Sequence, residues 1–171
     1  MRIVGGKFRG KQLTSPGDKR VRPTAEVVRV AMLAALKPLL PNAHLLDLFA
    51  GTGAIGLEAI SRGARSADFV EFNPGSLHAL KNNVSALGLK TRSRIFKRDA
   101  VWFLESCKPE SYEIVIADPP YEFKIHGRII ASWLAGHVSP VLAIEHATGE
   151  PLPPPSSRES FGDTSFSIYR A

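Results

Sequence analysis

From residue 44 onward, short apolar runs alternate with longer segments whose apolar residues recur at helical spacing. The runs predict β-strands, and the segments between them predict helices. The predicted strands cover 44–49, 67–72, 93–97, 112–117 and 138–147, and the predicted helices cover 54–62, 75–87, 100–107 and 125–135. Strands that alternate with helices of this length favour an α/β fold, with a parallel sheet covered by helices on both faces.

The alternation ends near residue 150. The prolines between 151 and 155 are incompatible with a helix or a central strand. After them, 158–161 and 164–169 flank Gly162-Asp163, a pair typical of a tight turn. We therefore expect the chain to close with an antiparallel hairpin.

Charge is distributed unevenly along the chain. The net charge is +6, and residues 1–29 contain eight basic and two acidic residues, so the remainder is neutral overall. A basic segment on a neutral domain favours a phosphate backbone, because each neutralised phosphate releases a counterion. We interpret 1–23 as an arm that contacts RNA and 24–171 as the main domain. The alternative interpretation of the arm is a solvated tail.

Within the arm, residues 2–13 predict a basic β-hairpin. Gly5-Gly6 is a strong turn pair, and basic and apolar residues alternate after it. Because side chains of a strand alternate between its faces, Lys7, Arg9 and Lys11 are expected on one face of the second strand.

A helix is predicted to follow the arm. Thr24 is a favourable N-cap, and Glu26 lies in the first turn, where the helix dipole favours an anion. Pro38 and Pro41 end the helix. The predicted apolar stripe consists of Val27, Val30, Ala31 and Ala34.

Composition excludes several classes of protein. The 171 residues suffice for one domain, and a hydrophobic content of 44% excludes a disordered chain. No apolar run approaches the roughly 18–20 residues of a membrane-spanning helix, and no secretory signal is visible. The single cysteine, Cys107, cannot form an intramolecular disulfide, in keeping with a cytoplasmic protein. The five histidines lack metal-ligand spacing, so we predict no metal site, and we expect Trp102 and Trp133 to pack rather than stack on bases.

A glycine-rich loop joins the first predicted strand to its helix. Gly51, Gly53 and Gly56 allow a ligand to approach the backbone, and the helix N-terminus offers unpaired N–H groups. Asp47 precedes the loop, where an anion suits the ammonium of an amino-acid-bearing cofactor better than a pyrophosphate. The alternative is that these glycines only permit close packing of helix on strand.

Two further carboxylates follow the next strands. Glu71 closes the second strand and can accept hydrogen bonds from ribose hydroxyls, which suits S-adenosylmethionine and NAD equally. Asp99 follows the third strand, where its side chain could accept from an adenine amine beside the backbone of Ala100. Asp99 is also a favourable helix N-cap, and both roles are compatible. The predicted cofactor set includes Phe49 and Phe72 as well.

Asp118-Pro119-Pro120-Tyr121 follows the fourth strand and carries the predicted chemistry. An exocyclic amine is a weak nucleophile, because its lone pair is delocalised into the ring. The Asp118 carboxylate and the Pro119 carbonyl can accept its two N–H bonds, and the prolines hold these acceptors in place. Tyr121 offers a flat face on which a base can stack. The alternative is an ordinary turn with a capping aspartate.

These motifs together resemble a class I methyltransferase of the amino-methylating type. The chain is most similar to the bacterial 16S rRNA guanine-N2 methyltransferase family of the RsmD type. The motifs that carry the resemblance are residues 2–11, Arg22-Pro-Thr24, 47–63, 69–71, Asn83 and 118–121. The resemblance implies a Rossmann-like fold, with a mostly parallel seven-stranded sheet whose last strand runs antiparallel.

The resemblance also implies roles for individual residues. Asp47, Gly51 and Gly53 would hold the methionine end of S-adenosylmethionine, Glu71 its ribose, and Asp99 with Ala100 its adenine. Asp118, Pro119 and Tyr121 would hold the target base, and Asp118 would also adjoin the cofactor. The residues expected to contact RNA are Arg2, Lys7, Arg9, Lys11, Arg22 and Thr24.

The sequence therefore predicts a cytoplasmic, monomeric enzyme that methylates guanine N2 in 16S rRNA. Its partner would be the small ribosomal subunit or an assembly intermediate, with neither membrane nor metal involved. A DNA adenine-N6 or protein glutamine methyltransferase remains open, since both use similar loops, although a large DNA-reading domain is absent from the pattern. An NAD-dependent oxidoreductase and a non-catalytic RNA-binding scaffold are alternatives of other classes.

Overall fold

The structure is a computed structural model that describes residues 1–16 and 23–171, and of residues 23 and 24 the backbone alone. The strands are β1 (His44–Leu48), β2 (Ser66–Val70), β3 (Ser93–Phe96), β4 (Ile114–Ala117), β5 (Val141–Ala147), β6 (Ser157–Phe161) and β7 (Thr164–Arg170). The helices are α1 (Pro23–Ala35), α2 (Ala54–Ser61), α3 (Pro74–Ala86), α4 (Ala100–Ser106) and α5 (His126–Gly136). Short 3₁₀ turns cover Lys37–Leu39, Lys90–Arg92 and Tyr121–Phe123.

The seven strands form one sheet in the order β3-β2-β1-β4-β5-β7-β6. The pairs from β3 through β5 are parallel, and β7 runs antiparallel to both β5 and β6. The predicted parallel α/β sheet and its closing antiparallel hairpin are confirmed. Because β1 to β5 all run in one direction, their carboxyl ends meet at one edge of the sheet, where ligands of open α/β sheets bind.

The core consists of two apolar layers, one on each face of the sheet. Leu45, Phe69 and Ile116 belong to the layer that packs against α1, α2 and α3. Leu46 and Val70 belong to the layer that packs against α4 and α5. Since both faces of each central strand are covered, apolar side chains occupy both faces of these strands rather than alternating with exposed polar ones.

The apolar stripe predicted for α1 is wrong. The buried side chains of α1 are those of Val28, Arg29, Met32 and Leu33, each at most 4% exposed, whereas Val27 is 53% exposed. Nearly every position from 27 to 36 is apolar, so the spacing cannot single out one face, and packing against the rest of the protein determines which residues are buried. The helix also begins at Pro23, one residue before the predicted cap at Thr24, with proline at a favourable first position.

The N-terminal arm, residues 1–16 in the structure, is only partly the predicted hairpin. Its ends pair antiparallel through the bridge Arg2–Gln12. Residues 7–10 are turns, so the predicted strand that would align the basic residues on one face is wrong there. The reason is contact with α2: the Lys7 amide donates to the Ser61 carbonyl, 2.8 Å away. A Cβ at Gly6, where φ is +79°, would lie 1.9 Å from that same oxygen, so only glycine fits.

A buried ion pair attaches the arm and α1 to α2. The Arg29 guanidinium donates to Glu58 Oε2 at 2.8 Å, and both side chains are almost fully buried. Arg29 also donates to the carbonyl of Arg2 in the arm at 2.8 Å. Glu58 accepts from Arg62 as well. Each of the two buried charges thus has an oppositely charged partner, without which its burial would strongly destabilise the fold.

Asn83 connects the other end of the arm to the glycine-rich loop. Its side chain is 1% exposed. Its Oδ1 accepts from the Thr14 amide at 2.7 Å, and its Nδ2 donates to the carbonyls of Thr14 at 3.0 Å and Thr52 at 2.9 Å. The arm therefore runs along α2 between the carboxyl edge of the sheet and its opposite end.

The two tryptophans differ in environment. Trp133 is 2% exposed, as expected, whereas the expectation that Trp102 packs is wrong, because its side chain is 74% exposed. No helix in the described residues is long and apolar enough to span a membrane.

Breaking the buried pair should be costly. Glu58→Ala leaves the Arg29 guanidinium buried without its counter-charge, so we expect the free energy of unfolding to fall by about 3–5 kcal/mol in urea denaturation. Glu105→Ala is the matched control, because Glu105 and Arg128 form an exposed pair whose loss should cost less than about 1 kcal/mol. Equal losses in the two variants would contradict this account.

Candidate active site

A cavity of about 600 Å³ lies at the carboxyl edge of β1 to β4. Six of the predicted site residues line it: Phe49, Glu71, Phe72, Asp99, Ala100 and Asp118. The cavity thus brings together side chains from the ends of four different strands. Asp47, Gly51, Gly53, Pro119 and Tyr121 adjoin this group along the chain but are not part of this cavity's wall.

Asp47 lies beneath the glycine-rich loop and fixes its shape. The side chain is 1% exposed, and Oδ2 accepts from the Gly56 amide at 3.0 Å. A Cβ at Gly56 would lie 2.5 Å from the Phe69 ring and 2.9 Å from Asp47 Oδ2, so the glycine permits close packing of α2 on the sheet. The loop itself turns through Gly53, which has a φ of +81° and precedes the first residue of α2.

Burial raises the pKa of Asp47 to about 7, although the hydrogen bond from the Gly56 amide opposes the shift. The negative charges of Asp118 and Glu71 add to the rise. Three carboxylates from three adjacent strands are therefore close enough to influence one another. This concentration of negative charge at the strand ends suits a ligand with a positive charge.

Glu71 holds the loop that follows β2. Its Oε2 accepts from the Gly51 amide at 2.7 Å, and its Oε1 accepts from the amides of Phe72 and Asn73, each at 2.7 Å. Glu71 thereby joins the ends of β1 and β2 across the cavity. A carboxylate has about four acceptor sites, so these three bonds leave capacity for a ligand hydroxyl.

Asp99 caps α4 at the far side of the cavity. Its side chain accepts from the Trp102 amide at 2.9 Å, which confirms the predicted N-cap. Ala100 is buried beside it and lines the cavity. Phe49 also lines the cavity, in the left-handed conformation with φ of +58°, which is uncommon for a bulky residue.

The Asp118–Tyr121 corner leaves β4 next to the cavity. Asp118 and Pro120 line the wall, and Pro119 is buried. The Tyr121 hydroxyl points away toward the last strands, where it lies 3.2 Å from Glu145 Oε1 and 3.0 Å from Thr164 Oγ1. The aromatic side chain that lines the cavity near this corner is that of Phe123, which follows it by two residues and is 60% exposed.

Sequence reasoning did not single out several of the site's residues. Phe123 and Arg98 line the cavity, and their signals were available, since one closely follows the Asp-Pro-Pro motif and the other directly precedes Asp99. Glu145 and Thr164 are different, because their contacts with Tyr121 join elements far apart in sequence. No local pattern encodes such a contact.

The residues predicted to contact RNA lie partly within the described chain. Arg2, Lys7, Arg9 and Lys11 are all exposed, and Lys7 lies over the ring of Phe8 at 5.7 Å. Arg22 is outside the described residues, and the side chain of Thr24 is not described. Among the described residues, no group of three or more histidine, cysteine or acidic side chains is arranged to hold a metal ion.

The sheet order and the cavity at its carboxyl edge define a class I methyltransferase fold, as predicted. The chain belongs to the family described as "Conserved hypothetical protein 95", whose profile matches residues 1–153. The resemblance to the RsmD type is also confirmed: the chain is 37% identical over 121 residues to "Ribosomal RNA small subunit methyltransferase D" of Escherichia coli (strain K12). That match covers 71% of this chain and 60% of the relative, which is therefore matched over less than two thirds of its length.

Solved structures agree with this assignment. The chain resembles "Putative methyltransferase yhhF from Escherichia coli" with a TM-score of 0.86 and 29% identity, over 99% of this chain and 97% of that one. It also has the fold of an RNA methyltransferase from Salinibacter ruber, solved in complex with S-adenosyl-L-homocysteine, with a TM-score of 0.69 and 15% identity. That likeness covers 87% of this chain and 93% of the other.

The raised pKa of Asp47 makes stability depend on pH. The folded value of about 7 lies above the unfolded value near 3.9, so the folded protein binds the extra proton, and stability should fall as pH rises from about 4 to 7. Asparagine cannot ionise, so Asp47→Asn removes this pH-dependent loss of stability, and its side-chain oxygen can still accept from the Gly56 amide. Measured by urea denaturation, the free energy of unfolding of the variant minus that of wild type should be about 2–4 kcal/mol larger at pH 8 than at pH 4.5.

The control for this measurement is Asp163→Asn, at the exposed turn between β6 and β7. Its stability difference from wild type should be the same at both pH values. A difference between Asp47→Asn and wild type that does not change with pH would contradict the ionisation of Asp47 inside the fold.

Proposed function

We propose that this protein transfers a methyl group from S-adenosylmethionine to the exocyclic N2 amine of a guanine in 16S rRNA. The observation that carries the proposal is the position of Asp118 in the wall of the same cavity as Glu71 and Asp99. An acceptor for an amine thus adjoins acceptors for a ribose and an adenine. The name of the E. coli relative, a methyltransferase of small-subunit ribosomal RNA, supports methyl transfer to rRNA.

The cavity fits the proposed cofactor. Its volume of about 600 Å³ is in the range of pockets for molecules of this size. Glu71 would accept from the ribose hydroxyls, Asp99 and the Ala100 backbone would bind the adenine, and Phe49 and Phe72 would cover it. Gly51, Gly53 and Asp47 would hold the methionine end. S-adenosylmethionine supplies an electrophilic methyl group on sulfur.

The protein's part in the reaction is to hold the amine. The Asp118 carboxylate and the Pro119 carbonyl accept its two N–H bonds, which directs the nitrogen lone pair toward the methyl donor. The nitrogen becomes acidic only as it is methylated, so Asp118 positions first and takes the proton second. To reach the corner, the base is turned out of its stack.

The arm supports an RNA substrate. Its four described basic side chains are exposed, and the hydrogen bonds to Ser61 and Asn83 fix its course along α2. The protein would therefore meet RNA with a positive surface that extends away from the cavity. We propose that it acts as a cytoplasmic monomer on the small subunit or an assembly intermediate.

One assay distinguishes the other candidate functions from methylation of guanine N2 in rRNA. A DNA adenine-N6 or protein glutamine methyltransferase would place label from S-adenosylmethionine on a different acceptor. An NAD-dependent oxidoreductase or a non-catalytic scaffold would transfer no label at all. Unmodified small subunits and free 16S rRNA, offered separately, also identify the form of the substrate.

Removal of the corner's carboxylate should stop the reaction. With Asp118→Ala we expect transfer of labelled methyl to guanine to fall by at least about 100-fold, because the amine loses its charged acceptor. Glu159→Ala, which removes an exposed carboxylate on the edge strand β6, should retain wild-type transfer. Unchanged transfer by Asp118→Ala would contradict the assigned role.

Reversal of the arm's charge should weaken RNA binding without affecting cofactor binding. Lys7→Glu with Arg9→Glu should lower affinity for 16S rRNA and flatten its dependence on salt, with the affinity for S-adenosylhomocysteine unchanged. The matched control is Lys90→Glu with Lys108→Glu, an equal charge change on exposed residues outside the arm. Equal effects of the two pairs on the salt slope would indicate attraction by net charge rather than by the arm.

A further inference from the structure

A second carboxylate lies beside Asp118 at the edge of the sheet. In the parallel pair β4–β5, Ala117 is opposite Ile144; Asp118 is the first residue after β4 and Glu145 is the next residue of β5, so the two lie next to one another where β4 ends. Paired strands are about 4.8 Å apart, and the charges of Glu145 and Asp118 both act on the Tyr121 hydroxyl, so the two carboxylates lie near the same group. Both side chains are partly accessible. Glu145 therefore adjoins the place where the amine would be held.

Tyr121 fixes the direction of this second carboxylate. Its hydroxyl lies 3.2 Å from Glu145 Oε1 and 3.0 Å from Thr164 Oγ1 on β7, where Thr164 is buried. Partial burial raises the pKa of Tyr121 to about 12, so the hydroxyl keeps its proton and can donate to the carboxylate. The Thr164 hydroxyl can in turn donate to the tyrosine oxygen. Glu145 is thus oriented before any substrate binds, which is the condition for selective recognition.

The edges of the purine bases differ next to the amine. In guanine, the N2 amine is adjacent to N1–H, so two donors lie side by side. In adenine, the N6 amine is adjacent to N1 without a hydrogen, so a donor lies beside an acceptor. An ionised carboxylate only accepts. A pair of neighbouring carboxylates therefore complements the edge of guanine and opposes that of adenine.

We propose that Glu145 accepts the N1–H of the target base and so selects guanine over adenine, while Asp118 holds the amine. This inference rests on the proposed function, because it assigns the choice of base to the site that would methylate it. The contact with Tyr121 does not exhaust Glu145, since a carboxylate offers about four acceptor sites. A site built to bind a particular hydrogen strongly rejects an analogue that lacks it.

The test compares guanine with 2-aminopurine at the position that wild-type enzyme methylates. 2-Aminopurine keeps the 2-amino group but has no hydrogen on N1. Initial rates per enzyme are measured for wild type, Glu145→Gln and the control Glu159→Gln, which removes an exposed carboxylate on β6. The 2-amino groups of guanine and 2-aminopurine differ in intrinsic reactivity. This difference is the same for all three proteins, so it cancels when the ratio of the two rates is compared between them.

We expect Glu145→Gln to reduce the preference for guanine by at least about 10-fold, the effect of one hydrogen bond to a charged group. Glu159→Gln should keep the wild-type preference. Affinity for S-adenosylhomocysteine should be unchanged in both, which also verifies that the variants fold. If Glu145→Gln slows the methylation of guanine and of 2-aminopurine by the same factor, Glu145 acts only by positioning Tyr121, and the proposal is overturned.

Wild type alone provides an independent check. If it methylates 2-aminopurine as fast as guanine, N1–H is not read, and the inference fails whatever the variants do. The proposed function fails in a different way, through the absence of label on any guanine. The two failures are therefore distinguishable in the same experiment.

Discussion

The hydrogen bond from the Gly56 amide to the buried Asp47 carboxylate determines how β1 passes into α2. It draws the first turn of α2 onto the end of the strand, and Gly56 allows the contact because a Cβ would collide with Phe69. α2 in turn supports the arm through Ser61 and the buried pair of Arg29 with Glu58. The cavity opens in front of the same turn. The hydrogen bond between Gly56 and Asp47 thus connects, through α2, the edge of the sheet that contains the cavity with the basic N-terminal arm.

Sequence predicted the elements whose signal is local. The parallel strands, the glycine-rich loop and the Asp118–Tyr121 corner were recognisable because each motif is bounded by an apolar strand and a turn. Six predicted residues do line the cavity. Several predicted strands extended one to three residues too far, because the sequence pattern does not mark where the hydrogen bonds of the sheet begin and end.

What could not be predicted depends on tertiary contacts. The arm's second strand is replaced by turns because Lys7 pairs with Ser61, a residue far along the chain. In α1, residues on every side are apolar, and only packing determines that Val28 is buried while Val27 is exposed. The contact of Tyr121 with Glu145 and Thr164 likewise joins three separate strand ends.

The three hydrogen bonds of Asn83 have a consequence for how this protein can be dissected. They are made in a buried setting to Thr14 on one side and Thr52 on the other. A truncation that removes the arm would strip two of them and expose the apolar surface under Ile3 and Leu13. The basic segment is therefore part of the fold rather than a separable extension, and removing it would disturb the glycine-rich loop at the carboxyl edge of the sheet as well as remove the arm's basic side chains.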